Sequence, residues 1–116
     1  MMKKIMPSLR EKNRYIAYAI KTSKALKENT AKKAMYGEIV KKLGEFEAAK
    51  ASLLILDDWI AGKGIIKVNN KYKDKVISAL MLIDDLEGSK ANIETKGVSG
   101  TIKKTRRKFM KEAFLR

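Results

Sequence analysis

A chain of 116 residues with 45% hydrophobic content is long enough for one modest core, and without cysteine it carries no disulfide or thiolate chemistry. It has no histidine either, which removes the commonest general base and metal ligand, and no apolar run long enough to span a bilayer. The net charge of +14 is extreme for this size and points to a polyanionic partner.

Met1 to Asn13 holds the only proline, Pro7, and reads as an extended basic arm on a single domain spanning residues 1–116. Its first seven residues lack the apolar core of a signal peptide, so a cytoplasmic protein is expected. Arg14 to Lys21 alternates as a strand, with Ile16, Tyr18 and Ile20 on one face and Tyr15, Ala17 and Ala19 on the other. Asn29 or Thr30 can cap a helix to Leu43, whose apolar face is Met35, Tyr36, Ile39, Val40 and Leu43, and Gly44 is a fitting stop. Ala51 to Ile60 is a second strand candidate, Ala61 to Gly64 a hairpin loop and Ile65 to Val68 a short third strand. Asn70 can cap a second helix reaching Leu86 and stopped by Gly88. Ala91, Ile93 and Thr95 then alternate with polar neighbours in a fourth strand.

The stretch Gly97 to Lys108 follows. Two glycines permit a bend, Ser99 or Thr101 can cap a new helix, and five of the seven residues from Ile102 to Lys108 are cations. Outward N–H groups and the macrodipole make such a helix start an anion site suited to phosphate. The basic residues concentrate at the two ends: residues 1–28 carry eight cations and two anions, and residues 97–116 carry seven and one.

The element order predicts an α+β, ferredoxin-like sandwich of four antiparallel strands, similar to RNA-recognition motifs, with an added basic C-terminal helix. That topology orders the sheet four, one, three, two. The start of strand one then lies beside the end of strand four, and the two basic ends become one surface. The candidate RNA-binding residues are Arg10, Lys12, Arg14, Ser99, Thr101, Lys103, Lys104, Arg106, Arg107, Lys108 and Lys111. The third strand lacks the aromatic side chains that stack bases in RNA-recognition motifs, so phosphate and shape contacts are expected.

Asp57-Asp58 and Asp84-Asp85 are the only adjacent carboxylate pairs. Neighbours on a strand diverge, and Asp84, Asp85 and Glu87 are placed in a helix's last turn, so all read as solvated acids and no catalytic constellation emerges. The second helix has an over-wide apolar arc: beyond Val76, Leu80 and Ile83 lie Ile77, Met81, Leu82 and Leu86. Its cover is either the C-terminal helix, through Ile102, Phe109 and Ala113, or a protein partner, with Ile77, Met81 and Leu82 as the interface.

These residues resemble the archaeal Pop-five family of ribonuclease P proteins, also called protein component two. The resemblance is carried by Pro7-Ser8-Leu9-Arg10-Glu11-Lys12-Asn13-Arg14-Tyr15-Ile16, by Ala79-Leu80-Met81-Leu82 and, most specifically, by Gly97-Val98-Ser99-Gly100-Thr101-Ile102-Lys103-Lys104 with Arg107-Lys108-Phe109. Asn13 departs from the basic residue common there. The resemblance implies a subunit of the ribonucleoprotein that removes 5′ leaders from precursor tRNA. In that family the RNA, with its Mg²⁺, is the catalyst, so the polypeptide itself needs no cofactor. Implied partners are the ribonuclease P RNA, a TIM-barrel-like protein subunit, a second copy within a heterotetramer, and precursor tRNA as substrate, with no membrane. A general or ribosome-associated RNA-binding protein is the alternative on the same fold. A small hydrolase with Gly97 to Thr101 as its phosphate loop is a third, disfavoured by the missing histidine and convergent acids.

Overall fold

A computed structural model describes residues 12–23, 26–60 and 62–109, with Phe109 described in its main chain only. Its elements are β1 (Asn13–Thr22), α1 (Glu28–Leu43), α2 (Glu45–Ala51), β2 (Leu54–Ile60), β3 (Lys63–Asn69), α3 (Lys73–Met81), β4 (Asp85–Leu86), β5 (Ser89–Ser99) and α4 (Ile102–Phe109). The strands form one antiparallel sheet in the order β2-β3-β1-β5-β4. The four long strands keep the expected order, but the sheet is five-stranded, which corrects the expectation of four.

The fifth strand comes from turn chemistry. Glu87 and Gly88 both have positive φ, 53° and 78°, which is the signature of a two-residue hairpin turn whose twist matches its strands. The Asp85 carboxylate accepts from the Gly88 N–H at 3.0 Å and steadies the turn. Gly88 therefore turns a hairpin and does not end a helix. The second helix stops at Met81, and Asp84, Asp85 and Glu87 belong to the hairpin, not to a helix's last turn. At its other end the cap is Asn69, one residue earlier than expected: its Oδ1 accepts from the Lys71 N–H at 2.8 Å and opens a 3-10 turn leading into α3.

The first helix runs from Glu28 and ends at Gly44, whose N–H reaches the Val40 carbonyl at 2.7 Å. No side chain caps its start, so Asn29 and Thr30 lie inside it. The expected second strand begins later, because Glu45 to Ala51, all helix formers apart from Phe46, make the short helix α2. The third strand extends one to two residues beyond each expected end, to Lys63 and Asn69.

One face of the sheet carries the main core. Ile16, Tyr18, Ile66, Val68 and Ile93 pack there against Met35 and Ile39 of α1 and Val76 and Leu80 of α3. Tyr18 needs Gly64 opposite it on β3: any Cβ at that position would collide with the phenol and press the Asp58 carbonyl at 3.0 Å. Tyr36, expected on the inner face of the first helix, is exposed. The other face carries Ala17, Ala19 and Ile65, all buried outside the main core. The chain turns at Gly100 and Thr101 and α4 folds back over this second face, against β5 and β1, with Thr105 fully buried beneath it. The C-terminal helix is thus placed on the sheet and does not supply the expected cover for α3, whose Met81 and Leu82 stand 69% and 67% exposed. The Phe109 side chain and Ala113 lie outside the described residues.

Candidate nucleic-acid interface

The antiparallel pairing of β1 with β5 places Tyr15 opposite Ser99, Ile16 opposite Val98 and Ala17 opposite Gly97. One residue earlier on β1, Arg14 reaches the far end of β5: a Cβ on Gly100 would sit 3.8 Å from the Arg14 Nη1. The register slips between Ala17 and Tyr18, because Lys96 is an extra residue on β5. Such a bulge bends a strand and increases its twist. Gly97, Val98 and Ser99 are strand residues, so the expected bend at Gly97 is corrected to Gly100 and Thr101.

Thr101 is the cap of α4. Its Oγ1 accepts from the Lys104 N–H at 3.1 Å. This is the reach expected from a cap to the third helical residue. Ser99 stays on β5, with its Oγ 3.5 Å from the Thr101 N. Thr105 donates its hydroxyl to the Thr101 carbonyl at 2.8 Å, which satisfies a polar group that has no access to water. With Thr105 inward and Ile102 half-buried, the helix turns Lys103, Lys104, Arg107 and Lys108 to solvent.

The structure thus brings together most of the residues the sequence singles out. Lys12 and Arg14 stand at the start of β1, Ser99 ends β5, Thr101 caps α4, and the cations of α4 follow. Lys12 is exposed, and its carbonyl accepts from Asn70 at 2.7 Å, which ties this end of the chain to the β3–α3 junction. Arg10 and Lys111 lie outside the described residues.

Arg106 is different from its neighbours. Its Nε donates to Asp58 Oδ2 at 2.7 Å and its Nη2 to Asp58 Oδ1 at 3.0 Å. This two-pronged pairing holds the guanidinium's pKa above its ordinary value. Asp58 is not the solvated acid its sequence suggests, since its side chain is 9% exposed. Sequence reasoning also passed over Lys67 as part of a near-neutral middle. Lys67 pairs with Tyr15 on β1, and Tyr15 pairs with Ser99 on β5, so the three form one row on the second face. Only the topology reveals this row; nothing in the local sequence around Lys67 does.

RNA-recognition motifs stack bases on an open sheet face. Here that face lies under α4, with Ala17, Ile65 and Thr105 all buried. The accessible chemistry is a capped helix start, a set of exposed cations and the adjacent Arg14. That arrangement can bind phosphates without reading base edges. Among the described residues, no group of three or more carboxylates converges as a metal site would require, and no helix is long and apolar enough to cross a membrane.

Comparison with known proteins follows the same line. The sequence model of the Rpp14/Pop5 family matches residues 14–110. The chain is 39% identical to ribonuclease P protein component 2 of Thermococcus gammatolerans over 95% of its own length and 92% of that protein's. It is 36% identical to the protein of the same name from Archaeoglobus fulgidus, over 94% and 98% of the two lengths. In three dimensions it is similar to a chain in the cryo-EM structure of yeast ribonuclease MRP, with a TM-score of 0.62, 16% identity and coverage of 98% and 100%.

Proposed function

The chain belongs to the Rpp14/Pop5 family, and from that premise we propose that it is a protein subunit of ribonuclease P which holds the enzyme's RNA through the β1–β5–α4 surface. The observation that supports this reading is the β1–β5 register, which sets Lys12 and Arg14 at the end of β5 from which the cations of α4 follow. Lys103, Lys104 and Arg107 would neutralise phosphates and bring close-packed RNA strands within reach of one another. Arg14 and the capped start of α4 would add a directional anion contact. In this reading the RNA, with its own Mg²⁺, carries out the cleavage of the precursor tRNA leader. The protein supplies positive charge and shape, has no nuclease activity alone, and works in the cytoplasm.

The second part of the proposal concerns protein partners. Met81 and Leu82 are exposed at the end of α3, while Ile77 packs partly into the core and contributes less. We assign Met81 and Leu82 to an interface with the TIM-barrel-like subunit of the same enzyme, within an assembly that includes a second copy of this chain. Changing Met81→Glu is expected to weaken association with that subunit while circular dichroism shows an intact fold. Unchanged association would remove α3 from the interface.

RNA binding is tested with a ribonuclease P RNA transcript over a salt series. Each phosphate contact releases counterions, so log K falls by roughly 0.7–0.9 per contact for each decade of salt. Replacing Lys104 and Arg107 together by Ala should weaken binding and flatten the slope by about two units at most. The control is Lys33 and Lys90, exposed cations away from α4 that make no ion pair among the described residues. Equal losses in the two double mutants would mean diffuse charge and no assembled surface.

A further inference from the structure

We propose that Asp58 is a positioning residue for RNA binding: through Arg106 it sets the orientation in which α4 presents Lys103, Lys104 and Arg107. The proposal rests on the RNA-binding reading above and extends it to a residue of opposite charge on a distant strand.

Three observations carry it. The first is the weakness of α4 on its own. The described helix has eight residues, well below the roughly 12–15 at which an isolated helix becomes even marginally stable in water. Contacts with the sheet must hold it. Among its described side chains the inward ones are the half-buried Ile102 and the small Thr105, whose hydroxyl turns back to the Thr101 carbonyl. The second observation is the geometry of the pair. Two parallel bonds of 2.7 and 3.0 Å fix both the position and the plane of the guanidinium, which a single lysine contact would not do. The third is how Asp58 comes to face α4. Between Ile55, opposite Ile66, and Trp59, opposite Gly64, three residues of β2 stand against Ile65 alone. A bulge of this kind re-aims a side chain. Trp59 packs against the main core, and Asp58 beside it meets Arg106 on the other face.

The arrangement divides the cations of α4 by task. Arg106 anchors, while Lys103, Lys104 and Arg107 point outward. The N-terminal end of the helix is fixed by its direct link to β5, and Arg106 fixes it one turn further along. Without the second tie, the outward cations would sweep a range of positions and meet phosphates at a cost in ordering.

The test exploits an opposition of signs. Simple electrostatics says that removing an acid from a protein of net charge +14 should tighten its grip on RNA. Positioning says the reverse for a structured RNA. The full-length Asp58→Asn protein is therefore titrated with a ribonuclease P RNA transcript and, separately, with poly(U). The expected result is about tenfold weaker binding of the transcript, equivalent to one or two misplaced phosphate contacts, with poly(U) binding unchanged or tighter. Tighter or unchanged binding of the transcript overturns the proposal.

Arg106→Gln and Arg107→Gln form the second arm. Each removes one cation from an exposed position, but Arg106→Gln also leaves the largely buried Asp58 carboxylate without its partner, so the urea transition of both variants is measured beside binding and affinities are compared between folded proteins. Arg106→Gln should lose several-fold more transcript affinity than Arg107→Gln; equal losses overturn the proposal. The exchange Asp58→Arg with Arg106→Asp keeps the net charge and should recover most of what either single change loses. A folded exchange variant without recovery counts against it. If Lys104 and Arg107 prove dispensable in the wild-type background, the RNA-binding reading fails and this proposal with it. If they are required and the Asp58 and Arg106 variants behave as simple charge changes, only this proposal fails.

Discussion

Ile66 and Ile65 are neighbours on β3, both fully buried, yet they face opposite sides of the sheet and very different surroundings. Ile66 sits among Ile16, Tyr18, Val68 and the inward residues of α1 and α3. Ile65 lies opposite Ala17, with Ala19 nearby and α4 above. The first side is a broad hydrophobic layer covered by two helices. The second is a narrow one, with small side chains below and a short helix tied down by an ion pair. Burial of apolar area is non-directional, so the first side holds the fold together without fixing any one polar geometry. A bidentate ion pair is directional, and it is found on the side that carries the exposed cations of α4.

The first break in that comparison carries the largest expected effect. Ile66→Ala should lower stability by about 2–5 kcal/mol, seen as a shift of the whole urea transition, because it opens a cavity in the layer between the sheet and helices α1 and α3. Thr105→Val, on the second side, removes only the hydroxyl bond to Thr101 and should cost about 1 kcal/mol. Its effect should be local: hydrogen exchange should speed up in α4 while the protection of β1 and β3 stays as in the parent. Global loss of protection in Thr105→Val would mean that α4 and the main core form one cooperative unit.

This asymmetry also explains what the sequence disclosed. Strand alternation at Ile16, Tyr18 and Ile20 placed β1, and the split βαβ order then placed Arg14 beside the end of β5. The first follows from periodicity, which is local, and the second from the order of elements along the chain. The helix cap was legible locally as Ser99 or Thr101, and the geometry selects Thr101. The Glu87-Gly88 turn was misread because a glycine after an apolar helical stretch also signals a helix stop, and only the backbone φ values separate the two. Helix α2 covers residues 45–50, to which the sequence pattern assigned no element, and takes Ala51 from the start of the expected strand. The Asp58–Arg106 pair spans 48 residues and depends on a bulge in β2, so no local pattern could announce it. The exposed Met81 and Leu82 were visible as an over-wide arc, but the face that α4 covers was not.

A smaller effect tests the interior of the first side. Tyr18 is almost fully buried, and its hydroxyl finds no hydrogen-bond partner among the described residues. Burial, with lesser contributions from Glu28 and Asp58, pushes its pKa well up, so it stays neutral across the accessible pH range. An unpaired buried hydroxyl gives no net stabilisation. Tyr18→Phe should therefore be neutral or stabilising by up to about 1 kcal/mol in a thermal melt. A clear loss would reveal a polar contact that the main core requires.

The smallest effect comes from the exposed ion pairs. On the first side, Glu47 of α2 meets Lys75 of α3 at 2.9 Å, and Lys75 holds the Glu47 carboxyl below its ordinary pKa of 4.5. Glu94 is lowered in the same direction, chiefly by Lys96 and then by Lys21. A carboxyl with a depressed folded-state pKa binds fewer protons folded than unfolded in the range just below its ordinary value. Its contribution to stability is complete above the unfolded-state pKa and is lost as the pH falls through the folded one, between about pH 5 and pH 3. Both carboxyls are solvent-exposed, so the contribution is small and screened by salt. The double variant Glu47→Gln with Glu94→Gln should match the parent's melting temperature below about pH 3 and fall slightly short of it at pH 7, where the parent's carboxylates are charged and paired. Melts at low salt should show that gap and melts at high salt should close it. A gap that persists in high salt, and in the single variant Glu47→Gln as well, would mean that the α2–α3 contact is stiffer than an exposed ion pair allows. It would then resemble the Asp58–Arg106 tie of the opposite face.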